Sequence, residues 1–176
     1  MNFSARPAEQ TVGRHSLILR AARFACQRHA GQTKPRQKRS VIDHCLEVAL
    51  LVSDAGLPDE VVAAALLHDT VEKSETTQHE LEAEFGARVR VLVEAVTDLP
   101  WESDAAAKER LKAAPADAQS IKCADIVSNL GALAGQGALT AEDRTAKAAK
   151  LAVLDQADPG LAQRAASLIE HGVTVV

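Results

Sequence analysis

Seven consecutive apolar residues, Val61 to Leu67, occupy the centre of the stretch DEVVAAALLHDTVE. Pro58 stands just before it, and Asp59 and Glu60 place negative charge where a helix N-terminus carries positive partial charge. A helix that is apolar on every side has no face to offer water, so other elements must enclose it. The stretch therefore predicts a helix over 59–72 that forms the buried centre of the molecule. It ends in a pair that an apolar core does not need, His68-Asp69.

The enclosing elements are predicted to be helices as well. One runs from about 15 to 29, with Leu17, Ile18, Ala21, Ala22, Phe24 and Ala25 on its apolar face and Gly31 beyond its end. Others are expected over about 41–54, 77–85, 87–97, 103–113, 116–134 and 141–157, with a last one from Pro159 to His171. In the 87–97 segment, Val89, Leu92, Val93 and Val96 follow the i, i+3, i+4, i+7 spacing of an amphipathic helix. Residues 1–12 read as a flexible N-terminal arm and 31–40 as a polar, basic loop. Strand-like alternation is confined to the final GVTVV. The expected fold is all-α: one helical bundle over residues 13–176 around a buried central helix.

Composition narrows the chemistry. Aromatic residues make up 2% of the 176, so the core is built from Ala, Leu and Val and suits closely packed helices. A bound nucleotide base finds few rings to stack on and must use arginine planes or aliphatic groups. The net charge of −4 argues against a nucleic-acid partner, although Arg28 to Arg39 holds five basic residues and no acidic one. Cys26, Cys45 and Cys123 lack CxxC spacing, so neither a disulfide framework nor a zinc knuckle is indicated. No apolar run is long enough for a bilayer, and MNFSARPAEQ has no signal-peptide pattern. A cytoplasmic location without membrane association is expected; a homo-oligomer is left open.

His68 and Asp69 are neighbours, about 100° apart on a helix, and both can reach one ion at its C-terminal end. His44 in SVIDHCLEVA and Asp125 in SIKCADIVSNL lie in other apolar helical contexts. Two imidazoles and two carboxylates from three helices can converge on one divalent ion such as Mn²⁺ or Fe²⁺, and they leave positions open for water and phosphate. Taken singly, His44 reads better as a hydrogen-bonded core histidine and Asp125 as a paired carboxylate; the set together favours ligation. Glu72 follows His68 by four residues, where it can orient an attacking water or simply be a solvated helix-end carboxylate. Lys122, Asp125 and Asn129 share one side of a helix. Lys and Asn there suit phosphate or ribose contacts, or ordinary surface pairing. The basic loop carrying Lys34 and Arg36 can clamp polyphosphate, or be no more than a solvated charge run.

Four segments in order, HAGQTKPRQKRSVIDH, AALLHDTVEKSETT, LEAEFGARVRVLVEAVTDLP and IKCADIVSNLGAL, resemble consecutive motifs of the hydrolase domain of RelA/SpoT-type enzymes, within the HD superfamily. The resemblance covers roughly residues 20–135. It implies an HD-type helical bundle acting as a stand-alone small alarmone hydrolase, with one Mn²⁺ per chain and the 3′-pyrophosphate of (p)ppGpp- or (p)ppApp-type nucleotides as the group removed. By motif position it implies metal ligation by His44, His68, Asp69 and Asp125, and nucleotide contacts from Lys34 to Arg36 and from Asn129. Two departures stand out. Glu72-Lys73 replaces the family's usual Glu-Asp, and Asp125-Ile-Val-Ser-Asn129 replaces its Asp-Arg-Leu-His-Asn.

The expected function is thus metal-dependent pyrophosphohydrolysis. Glu72 and Asp69 are the catalytic carboxylates, and Lys34, Arg36, Lys73, Lys122 and Asn129 the substrate contacts. Two alternatives follow from Lys73. One is hydrolysis of another nucleotide, such as NADPH or a nucleoside phosphate. The other is a catalytically weakened domain that binds nucleotide and regulates a partner.

Overall fold

Every residue from Val61 to Leu67 is buried, with the helix that carries them enclosed by four others. The computed structural model describes residues 9–172, with side chains from 17 onward. Its helices are α1 (Glu9–Arg28), α2 (Val41–Asp54), α3 (Asp59–Leu67), α4 (Thr70–Lys73), α5 (Gln78–Phe85), α6 (Ala87–Val96), α7 (Asp104–Lys112), α8 (Ala116–Ala134), α9 (Ala141–Leu151) and α10 (Pro159–His171). Helix α3 packs against α1, α2, α6 and α8, while α10 lies on α8 and α9. The central helix is the one the apolar run predicted. The first helix begins at Glu9 rather than near 15. Residues 1–8 of the expected arm, and all but the first residue of GVTVV, lie outside the described residues.

Three local differences matter for the site. The expected helix over 59–72 is broken in two, with His68 and Asp69 at the junction. Side chains take over the carbonyls there: His68 Nδ1 lies 2.7 Å from the Ala65 carbonyl, and the Thr70 hydroxyl donates to the Leu67 carbonyl at 2.6 Å. The basic loop contains a two-residue hairpin, β1 (Thr33–Lys34) antiparallel to β2 (Arg39–Ser40), where no strand was expected. Strands this short show no alternation to read. The turn between them places Lys38 at φ 48°, left-handed backbone that a side chain makes costly. Finally, α9 stops at Leu151 instead of 157, because side chains of α8 claim the following backbone. The Gln156 and Asp158 amides donate to Gln119 Oε1 and Ser120 Oγ.

Helix α2 starts sharply. Ser40 and Asp43 form a capping box in which each side chain accepts from the other's backbone amide. This fixes the first turn, and His44 follows immediately, fully buried. Helix α8 is buried along most of its length, polar residues Lys122, Asp125 and Ser128 included.

Candidate metal centre

His44 on α2, His68 and Asp69 at the α3–α4 junction, and Asp125 on α8 converge on one point. His44 Nε2 lies 3.2 Å from His68 Nε2, 3.2 Å from Asp125 Oδ1 and 3.9 Å from Asp69 Oδ2. His68 Nε2 lies 3.4 Å from Asp69 Oδ1 and 3.9 Å from Asp125 Oδ1. All four side chains are buried. Three of them, His44, His68 and Asp69, offer ligand atoms within 4.8 Å of one another.

The donor set fits a cation. A carbonyl only accepts, so His68 donates from Nδ1 to Ala65, which turns Nε2 toward the cluster. Burial depresses His44 to a pKa of about 4, against the pull of Asp125, so its ring is neutral near pH 7. Burial alone would raise the Asp69 carboxyl, but His68, Lys73 and Lys34 beside it hold it well below the usual carboxylate range. Asp125 behaves alike: burial opposes its charge, and Lys122, His44 and Lys147 outweigh it. Two imidazole rings and two ionised carboxylates facing one another form an arrangement that a divalent cation stabilises.

Three ammonium groups ring this cluster. Lys34 Nζ reaches Asn129 Oδ1 at 3.2 Å and Asp69 Oδ2 at 3.6 Å. Burial lowers its pKa, with Asp69 and Asp125 pulling the other way. Asn129 is set between them, donating to Asp125 Oδ1 and accepting from Lys34 and from Gln37. Lys73 donates to Asp69 Oδ2. Its pKa is raised because Asp69 outweighs its burial. Lys73 was expected to point toward a phosphate; in the structure a candidate metal ligand holds it.

Two residues expected to contact substrate are placed elsewhere. The Lys122 side chain is 5% exposed, and its ammonium reaches the Val96 carbonyl at 3.3 Å, Asp98 at 3.4 Å and Asp125 at 3.5 Å. It lies beneath the cluster as a counter-charge to Asp125, because α8 is buried on the side that carries it. Arg36 is 64% exposed and makes two parallel hydrogen bonds of 2.8 Å to Asp143, in the first turn of α9. Glu72 is half-buried, with Oε1 4.0 Å from Lys73 Nζ.

Beyond the expected residues, His29, Glu47 and Ser128 lie close to this centre, and so does Arg39, which the sequence marked only as the end of the basic loop. His29 is buried; its Nδ1 pairs with Gln32 Oε1 at 2.8 Å, and its Nε2 has no hydrogen-bond partner among the described residues. Gln32 goes on to the Lys73 carbonyl at 2.7 Å, tying the loop to α4. Ser128 Oγ lies 2.9 Å from His44 Nδ1. One signal was available: Glu47 and Ser128 each follow a candidate ligand by three residues, on the same helix face.

The family described as HD domain matches residues 21–126, more than half of the chain. The chain belongs to the HD domain family. Among curated relatives, HD-domain similarity extends to guanosine-3′,5′-bis(diphosphate) 3′-pyrophosphohydrolase MESH1 of Homo sapiens, 50% identical over 84 residues, or 46% of this chain and 47% of that protein. The Xenopus tropicalis MESH1 is 49% identical over 86 residues, 47% of this chain and 48% of that protein. A guanosine-3′,5′-bis(diphosphate) 3′-pyrophosphohydrolase of Aquifex aeolicus is 44% identical over 82 residues, 47% of this chain and 12% of that protein. The match thus spans about half the length of the animal relatives, and far less of the Aquifex protein. In overall fold the chain resembles a solved structure reported as a metazoan ortholog of SpoT that hydrolyzes ppGpp. The TM-score is 0.77 at 21% identity, over 98% of this chain and 100% of that one.

Proposed function

We propose that this HD-domain protein is a metal-dependent pyrophosphohydrolase that removes the 3′-pyrophosphate of (p)ppGpp- or (p)ppApp-type alarmones. The observation that carries the reading is the convergence of His44, His68, Asp69 and Asp125 beside the buried Lys34–Asn129 pair. The relatives named as guanosine-3′,5′-bis(diphosphate) 3′-pyrophosphohydrolases support the substrate class. Mn²⁺, one per chain, is the proposed ion, in keeping with two nitrogen and two carboxylate ligands. When bound, it supplies positive charge for phosphate oxygens and makes a nearby water more acidic.

The chain's own residues do the rest. Asp69 and Asp125 complete the ligand set, and Lys122 beneath them keeps Asp125 ionised. Lys34 is poised over Asp69 and is the foremost contact for substrate phosphate. Lys73 reaches the same phosphates by swinging its stem away from Asp69. Glu72, half-buried at the rim, holds the attacking water and takes its proton. Arg36 joins only if it leaves Asp143. The work is placed in the cytoplasm, in one domain over residues 13–176.

The test is product analysis. The Mn²⁺-loaded protein is incubated with ppGpp, ppApp, NADPH and nucleoside monophosphates, and the products are read by phosphorus NMR. Release of pyrophosphate as a unit from an alarmone is the expected outcome. Orthophosphate as the sole initial product overturns it in favour of another phosphorylated nucleotide. The Lys73–Asp69 contact favours that second reading, because it ties up a cation that the family pattern replaces with a carboxylate.

The loop can be tested residue by residue. Lys34→Ala is expected to raise KM by about tenfold with a smaller fall in kcat, the pattern of lost uniform binding. Arg36→Ala is expected to change KM much less, because its guanidinium is spent on Asp143. Equal effects in steady-state kinetics would place both residues on the substrate.

A further inference from the structure

We infer that Arg39 and Gln37 form a clasp that holds the short hairpin down and so sets Lys34 over Asp69. The inference rests on the reading of Lys34 as a phosphate contact and adds two positioning residues that act through it. A two-stranded hairpin has little stability of its own in water. This one pairs Lys34 directly with Arg39, two like charges that repel across the strands. Its turn adds the left-handed backbone of Lys38. What holds the hairpin must therefore come from outside it.

Arg39 supplies the first hold. Its Nε donates to Gln37 Oε1 at 2.9 Å, its Nη1 pairs with Glu47 on α2, and its Nη2 donates to the Ser128 carbonyl on α8 at 3.0 Å. The same Nη2 lies 3.0 Å from Ser128 Oγ and 3.1 Å from His44 Nδ1. One side chain thus ties the second strand to two helices and to the turn. Only a planar fork with five donors spans such a set; an ammonium is a point charge.

Gln37 supplies the second hold, and its amide fits one way only. A guanidinium can only donate, so Gln37 turns Oε1 to Arg39 and gives Nε2 to Asn129 Oδ1 at 2.7 Å. Asn129 has its own amide on Asp125 Oδ1, so its oxygen is the end that receives both Gln37 and Lys34, the latter at 3.2 Å. The Gln37 carbonyl accepts from Gln136, just past the end of α8. Lys34 is therefore fixed twice. Its backbone is paired with Arg39, and its ammonium sits on the Asn129 oxygen that Gln37 shares.

A double-mutant cycle tests the clasp, in steady-state kinetics at saturating Mn²⁺ with ppGpp as the probe. Gln37→Met keeps the length of the side chain without its hydrogen bonds, and Arg39→Lys keeps the charge without the fork. Both positions lie outside the apolar core, so the fold is kept. Each variant is expected to raise KM about five- to tenfold with kcat within about twofold of wild type, the scale of coupling inside one network. In the Lys34→Ala background each should add less than about twofold, because the clasp then has nothing to position. Full multiplication of the two effects overturns the inference, since the clasp would then act independently of Lys34. Acetylation of Lys34 by acetic anhydride gives a readout without catalysis. Measured by peptide mass spectrometry against exposed Lys112, it should rise several-fold in both variants. Unchanged labelling of Lys34 overturns the inference as well. A wild-type protein that cleaves no alarmone, with labelling that still rises in both variants, retires the substrate reading and leaves the clasp standing.

Discussion

His68→Ala and Asp125→Ala are expected to abolish tight metal binding while the helical fold survives. The reason is a separation of tasks within the same helices. The core is a continuous aliphatic cluster running from α1 through α3, α6, α8 and α10, and neither residue belongs to it. Each variant removes one of four ligands from a site whose donors come from α2, the α3–α4 junction and α8. Asp125→Ala also strips a buried ammonium of one partner, but Lys122 keeps Asp98 and the Val96 carbonyl. The cost to folding should be about 1–3 kcal/mol, the scale of a buried polar group losing a partner. Elemental analysis after Mn²⁺ loading and gel filtration checks the first half, and a circular-dichroism melt the second. Full metal content in both variants would remove the site assignment.

Glu72→Gln should keep the metal and lose roughly 10²-fold or more in kcat, the usual scale for a general base. The substitution preserves size and hydrogen bonding but removes the ability to take a proton. Glu72 is half-buried, 4.0 Å from Lys73 Nζ, and is not one of the four candidate ligands. Metal content therefore stays at the wild-type level, which separates this variant from the two above. Lys73→Ala supplies the contrast. It frees Asp69 from one of its two ammonium partners, leaving Lys34, and should act mainly on substrate binding, through KM. Wild-type turnover in Glu72→Gln would move the base elsewhere.

The central helix was legible because its composition is uniform: seven apolar residues in a row allow one placement only. The break at its end was not. His68 and Asp69 keep helical backbone angles, φ −57° and −89°, and the interruption is made by side-chain hydrogen bonds to the Ala65 and Leu67 carbonyls. Helical spacing placed Lys122, Asp125 and Asn129 on one side of α8 but carried no information about depth. Lys122 is buried with Asp98, two residues past the end of α6, as its partner. Arg36 finds its partner 107 residues away, a distance over which no local pattern speaks. Ser128 and Glu47 went unassigned for a related reason. A serine and a glutamate on helices look like ordinary helical residues until their neighbours are known.

The elements around the metal centre differ in how firmly they are built. Its base is carried by α3 and α8, which are buried almost throughout. Helix α9 has no buried residue at all and is joined to the basic loop through Asp143, which caps Thr140 and receives Arg36 at once. Segments with little buried apolar surface open first in local unfolding. When the first turn of α9 frays, the carboxylate that holds Arg36 goes with it, and the guanidinium is released toward solvent. Helix α9 thus loosens above a rigid base while the loop stays tied to α8 through Lys34, Gln37 and Arg39, and amide exchange in 141–151 should run ahead of that in α3 and α8.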